Sequence, residues 1–372
     1  MDKTYKLILL LVFILSNTVM VAQVLEGTVV DSKTKETLPG ATVYLDGTTI
    51  STITDPNGYF KIYTKNNNAS LVVSFVGYST YRLDNTLQYA GKKLKVLLEE
   101  ESIHLDEVVV GRGPFSRKQM MKVFKEEFLG ESKAGRSCKI LNENDIVLYY
   151  DVTNNTLNAT ARNPLKIVNK HLDYEVNFDL EDFKVFYTYK SLSKFNQSRS
   201  FFAGTTFYKD ISKNKRADKK RKEAFYGSAT HFALTVANNA WQENETRLFV
   251  EGFQVNPNDY FQMKDTLGLK KVTLIKEPQK EVSSVKVQEN LNNTIRLSKT
   301  KNNKFVKTNF NILYKKDKQS IVEFTDKVIY VDRNGNYSPI YGILYGGYIG
   351  SLKAGDMLPV DYYETIKEMQ KE

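Results

Sequence analysis

Apolar and polar residues alternate over short stretches of this chain more often than they recur at helical spacing. Seven such runs fill the first hundred residues: 24–31, 42–45, 50–54, 59–63, 70–75, 78–83 and 92–98. Turn formers separate them. Leu38-Pro39-Gly40-Ala41, Asp46-Gly47 and Asp55-Pro56-Asn57-Gly58 combine a residue that fixes φ with one free to take φ > 0. Gly77, between the fifth and sixth runs, is expected at a bulge or corner. Leu94, Val96 and Leu98 alternate in the last run. The spacing predicts a seven-stranded β-sandwich.

The pattern changes at Phe115. Met121, Phe124 and Phe128 fall at i, i+3 and i+7, which predicts an amphipathic helix over 115–129, with Pro114 at its start and Gly130 at its end. Strands are expected again at 146–150, 156–161, 165–168, 174–180 and 183–189, forming an antiparallel meander. A second helix is expected near 215–241, with Phe225, Ala229, Phe232, Ala233, Val236 and Ala240 as its apolar stripe. Further strands follow at 271–275, 294–298, 310–314, 320–324 and 328–332, with a hairpin turn at Asn334-Gly335 and a Gly-rich aromatic strand over 341–350. The expected fold class is mainly β: an N-terminal seven-stranded Greek-key sandwich, then a larger antiparallel β-rich domain with two amphipathic helices.

Residues 1–22 read as a secretory signal peptide. Lys3 and Lys6 precede the apolar run Leu7–Leu15, and Ala22 offers a small residue for cleavage. That run is short of the ~20 residues that span a bilayer, and no later segment is longer, so no transmembrane segment is expected after cleavage. The remaining domains are expected at 23–98, with a linker at 99–114, and at 115–372. The net charge of +10 is uneven: residues 23–111 carry a net −3, whereas the chain from Arg112 onward carries +12. One cysteine, Cys138, excludes an internal disulfide.

The order G-x-V-x-D, L-P-G-A-x-V, G-T, T-D-x-x-G-x-F occupies Gly27, Val29, Asp31, Leu38–Ala41, Val43, Gly47, Thr48, Thr54, Asp55, Gly58 and Phe60. In this it resembles the carboxypeptidase-like regulatory module, a transthyretin-like sandwich of exported Bacteroidetes proteins. The resemblance implies a structural or binding unit without chemistry of its own. Residues 128–183 also resemble the region that follows this module in other exported Bacteroidetes proteins of unassigned function. In SusC-like receptors a similar L-x-E-V-V-V segment follows the module and resembles the box that pairs with TonB. Here Leu105, Glu107, Val108, Val109 and Val110 are therefore a candidate partner strand. The roughly 260 residues beyond it are too few for a large transport barrel.

No catalytic constellation, metal site or cofactor site emerges. His104-Leu105-Asp106-Glu107 matches H-x-x-E but stands in a linker, and only His171 and His231 accompany it. Asp55 and Asn57 lack the later ligands of a calcium loop. Gly130-Glu131-Ser132-Lys133-Ala134 follows a helix, where a nucleophile elbow follows a strand. Tyr341–Gly350 lacks the spacing of a phosphate loop. The strongest candidate is the basic run Lys213, Lys215, Arg216, Lys219, Lys220, Arg221 and Lys222, expected to face an anionic surface. It lacks the interleaved aromatics of nucleic-acid binders. The expected function is a non-enzymatic binding or scaffolding role at the periplasmic face of the outer membrane, with an envelope protein or an anionic membrane surface as partner. The alternatives are an envelope hydrolase of peptide or glycan using Asp179, Glu181 and Asp182, or an accessory of TonB-linked nutrient uptake.

Overall fold

The computed structural model describes residues 23–64, 69–100, 113–266, 268–289 and 295–369. The chain divides into two units at 108/109.

The first unit holds β1 (Gln23–Asp31), β2 (Thr42–Leu45), β3 (Ser51–Ile53), β4 (Tyr59–Thr64), β5 (Leu71–Ser74), β6 (Tyr81–Leu83) and β7 (Lys93–Leu98). They form two sheets, in the orders β4-β1-β7 and β3-β2-β5-β6. Leu25, Val29, Phe60, Ile62, Val96 and Leu98 of the first sheet share one core with Val43, Leu45, Leu71 and Val73 of the second. Seven strands in a sandwich match the expectation.

The motif residues have local reasons to be where they are. Gly27 lies where β1 runs parallel to β7, and a Cβ there would come 2.4 Å from the Leu94 carbonyl oxygen. Asp31 accepts from the Lys33 and Thr34 amides, both at 2.7 Å, and from the Tyr78 hydroxyl at 2.9 Å. Those bonds, the Thr34 amide first, hold its carboxyl below the usual range. Thr54 Oγ1 donates to the Leu38 carbonyl and accepts from the Ala41 amide, locking the Pro-Gly turn. Asp55 accepts from the Asn57 and Tyr59 amides, so the D-x-N-G sequence is a turn. Gly58 sits at φ +70° with the Val29 carbonyl 2.6 Å from where its Cβ would be.

The second unit opens with α1 (Arg117–Phe128), α2 (Lys133–Ser137), β8 (Cys138–Ile140), β9 (Ile146–Asp151), β10 (Thr156–Ala161), β11 (Leu165–Asn169), β12 (Tyr174–Tyr187) and β13 (Gln197–Asp210). A capping box of Ser116 and Gln119 starts α1. Phe124 and Phe128 of α1 are fully buried and meet Phe183 and Phe178 of β12 at ring separations of 4.7 and 4.9 Å. The runs expected as separate strands at 174–180 and 183–189 are one strand, β12, which pairs along its whole length with β13. The Asp-Leu-Glu-Asp sequence between them is a bulge: the register shifts between Leu180 and Asp182. Gly204 of β13 lies at this bulge, where a Cβ would fall 2.0 Å from the Asp179 carbonyl oxygen.

Two helices follow, α3 (Arg216–Phe225) and α4 (Ala229–Ala237), where one helix near 215–241 was expected. Gly227, at φ +87°, ends the first, and Ser228 caps the second by accepting from the His231 amide. Every residue of α4 from His231 to Ala237 is buried, so this helix is interior and not amphipathic. Trp241 lies beyond it, stacked on Phe261.

The chain continues through β14 (Thr246–Val250), β15 (Phe253–Gln254), β16 (Phe261–Thr266), β17 (Leu269–Leu274), β18 (Gln279–Glu289), β19 (Ile295–Lys307), β20 (Phe310–Tyr314), β21 (Lys318–Phe324), β22 (Val328–Val331), β23 (Tyr337–Ser338) and β24 (Ile343–Gly346). It ends in α5 (Gly347–Ser351) and α6 (Tyr362–Met369). Sheets ordered β15-β14-β20-β21-β24 and β16-β17-β22-β23 close around α4, Trp241, Phe261, Phe310 and Phe324. The strand expected over 341–350 ends at Gly346, because Gly347 at φ +65° turns the chain into α5.

Residues 353–358 return to the start of the unit. The Gly355 amide donates to the Leu129 carbonyl, and Asn169 Nδ2 donates to the Gly355 carbonyl at 2.8 Å, a bond 186 positions apart in sequence. Lys353 Nζ lies 3.6 Å from buried Glu127 and donates to Ser200 Oγ at 2.9 Å. Ala354 and Leu358 complete the core under α1.

Candidate functional site

Seven of the ten residues 213–222 are basic and one is acidic, and α3 sorts those from Arg216 onward by helical position. Ala217, Arg221 and Phe225 recur at i, i+4 and i+8 and form its buried stripe. Arg221 is therefore turned inward, at 4% exposure. It grips Asp210 with both guanidinium nitrogens at 2.7 and 2.9 Å, donates to the Leu172 and Asp173 carbonyls, and lies 3.8 Å over the Tyr174 ring. Burial pushes Asp210 up, but Arg221 and Ser212 outweigh it and hold the carboxyl at about 2. Arg221 is thus a structural residue that ties α3 to β13, a correction to its assignment to an anionic surface. Lys213, Lys215, Arg216 and Lys219 are exposed, and Lys220 and Lys222 are half-buried.

The fold brings a second basic segment to this face. The β20–β21 turn carries Lys315, Lys316, Asp317 and Lys318, with Lys315 at φ +54°. Between the turn and α3 runs a groove of about 560 Å³. Lys219 and Lys222 line one wall, Lys315 and Lys318 the other, with Tyr226 and Tyr314 alongside. Lys318 Nζ donates to the Tyr226 carbonyl at 3.3 Å and stands 4.5 Å over the Tyr348 ring. Asp218, Glu223 and Asp317 also line the groove. Among the described residues none of these three makes an ion pair within 4 Å with a groove lysine, although the charge of Asp317 acts on Lys315; Lys315 reaches Glu245 at 3.9 Å. Sequence reading missed the 315–318 half of the site.

His231 lies behind this groove, between Phe225, Tyr226 and Tyr314 at ring separations of 5.6, 5.1 and 5.3 Å. Its Nδ1 accepts from the Gly227 amide. Burial, aided by the positive field of Lys318 and Lys315, pushes the imidazole down to about 4. It is a neutral packing histidine.

Comparison with known proteins bears on the first unit. The family model for the CarboxypepD_reg-like domain matches residues 25–110, the stretch whose motif residues hold the sandwich turns. Residues 25–110 form a CarboxypepD_reg-like domain. The TonB-dependent receptor SusC of Bacteroides thetaiotaomicron is 34% identical over 119 residues, which is 31% of this chain and 11% of that receptor. The chain therefore spans a small part of its curated relative. A solved structure of a protein of unknown function from Bacteroides fragilis, described as membrane-associated, aligns with 51% of this chain and 81% of its own at 14% identity. Its TM-score is 0.16.

The CarboxypepD_reg-like domain takes in Leu105, Glu107, Val108, Val109 and Val110, but these lie outside the described residues, as does His104. Asp179, Glu181 and Asp182 sit at the bulge of β12; Glu181 is exposed, and Asp182 pairs with Lys184 at 2.7 Å. They do not line the groove. Ser132 caps α2 by accepting from the Gly135 amide at 2.9 Å. Cys138 donates to the Ala134 carbonyl, and burial pushes its thiol up to about 12. Among the described residues no group of three or more His, Cys, Asp or Glu is placed to hold a metal ion. None of their helices is long and apolar enough to cross a membrane.

Proposed function

We propose that this chain is an exported envelope protein with a non-catalytic binding role at the periplasmic face of the outer membrane, and that its second unit turns a basic face to an anionic surface. The observation that carries this reading is the convergence on one face of two basic segments, 213–222 and 315–318. Exposed cations in excess of nearby carboxylates attract phosphate-rich or acidic surfaces, and salt weakens that attraction. The test is sedimentation with anionic and neutral vesicles at low and high salt. The wild type is expected to sediment with anionic vesicles at low salt only. Replacing Lys213, Lys215, Arg216, Lys219, Lys220 and Lys222 by Ser, with Arg221 kept, is expected to abolish it. Unchanged sedimentation of that variant overturns the reading.

The SusC match favours a second reading, an accessory of TonB-linked uptake. In that reading the CarboxypepD_reg-like domain and Leu105–Val110 would meet an envelope partner by strand addition. Its test is in-cell crosslinking from Glu107; capture of no uptake component removes it.

A further inference from the structure

The groove between α3 and the β20–β21 turn has more definition than a charged face requires. Its two walls come from segments about 93 positions apart in sequence, each bringing two lysines. On the turn side the Lys318 ammonium is held in place before any ligand arrives. Lys318 is fixed by the Tyr226 carbonyl and by the rings of Tyr348 and Tyr314. Lys315 Nζ stands 5.4 Å from the centre of the Tyr314 ring and 3.9 Å from Glu245. A donor fixed like Lys318 loses less side-chain entropy when it binds. On the helix side, Lys219 and Lys222 approach one turn apart with no carboxylate at ion-pair distance among the described residues. Burial is the main cause of the depressed basicity of His231, and the charges of Lys318 and Lys315 lower it further. Among the described residues the wall carboxylates Asp218, Glu223 and Asp317 make no ion pair within 4 Å with a groove lysine, although Asp317 acts on Lys315 through its charge, and a carboxylate only accepts hydrogen bonds. They suit hydroxyl donors.

Resting on the anionic-surface reading above, we infer that this groove is a built site for a phosphoryl group carried on a hydroxyl-bearing moiety, with the phosphoryl oxygens between Lys219, Lys222, Lys315 and Lys318 and the hydroxyls toward the carboxylates. Compact ammonium donors suit phosphate as point charges. The volume of about 560 Å³ holds more than a bare phosphate and sits within the range of small-ligand sites. A membrane headgroup and a soluble phosphate ester both offer this chemistry.

The experiment uses the purified protein with two probes. One is glycerol 3-phosphate, followed by calorimetry; the other is phosphatidylcholine vesicles with and without phosphatidylglycerol. Lys222→Gln and Lys315→Gln are compared with a triple replacement of Lys139, Lys166 and Lys264 by Gln, exposed lysines of the second unit outside the groove and outside both basic segments. The expected result is saturable glycerol 3-phosphate binding that each groove variant weakens about tenfold and the triple variant leaves intact. Absence of that binding, or equal loss in the triple variant, overturns the groove. Vesicle binding without glycerol 3-phosphate binding leaves the surface reading standing and removes the groove. Glycerol 3-phosphate binding without vesicle binding does the reverse and assigns a soluble source. Circular dichroism of every variant checks that the fold survives.

Discussion

His231 sets the acid side of the stability profile. Its imidazole is held at about 4 in the folded chain, against 6.5 when free. Between those values the unfolded chain binds the extra proton, so stability is full above 6.5 and falls as the pH drops toward 4. The shift corresponds to about 3 kcal/mol. His171, also lowered by burial, adds in the same direction. Urea unfolding at pH 7 and pH 4.5 is expected to show the loss, and His231→Phe to flatten most of the slope. Arg221 is the second residue to test. Removing it strands Asp210 and two carbonyls, and Arg221→Ala is expected to cost about 2–3 kcal/mol. That is less than for a fully buried pair, because the Asp210 side chain is 46% exposed. Cys138, pushed up to about 12, carries almost no thiolate at pH 8. Alkylation by iodoacetamide is expected to run at least about a hundredfold slower in the native protein than in urea. The buried Arg221 was readable in principle: it shares the i, i+4, i+8 row of Ala217 and Phe225. The density of charge around it concealed that spacing.

The strands of the first sandwich were legible because each is bounded by a turn whose chemistry is local. The same holds for α1, whose cap and stop lie in the sequence beside it. β13 was not legible: its exposure follows no clean alternation, since its order comes from pairing with β12. The break between α3 and α4 was concealed for a different reason. Phe225, Ala229 and Phe232 keep helical spacing across Gly227, and only the Gly-Ser pair signals a stop and a new cap. Close backbone approach makes two glycines decisive for their elements. Gly204→Ala drives a methyl into the Asp179 carbonyl and is expected to cost about 3 kcal/mol in thermal unfolding. Gly27→Ala should likewise open the β1–β7 pairing, visible as faster amide exchange at Leu94–Val96.

On the scale of the molecule, charge separates with the two units. The stretch 23–111 is net acidic and the remainder strongly basic. Anion affinity is therefore expected to reside in the second unit, and to fall steeply as salt rises. Half of the candidate site could not be read from sequence, because Lys315 and Lys318 meet α3 only through the pairing of β20 with β21 and its packing on α4.

The return of residues 353–358 to α1 has a consequence for the order in which the molecule is made. The layer under α1 stays open while the chain is still growing, since Ala354 and Leu358 are among the later residues to emerge. A nascent chain halted before Lys353 leaves Glu127 without its lysine and the Leu129 carbonyl without its donor. The second unit therefore closes late, and its first half waits, unfinished, for its last wall.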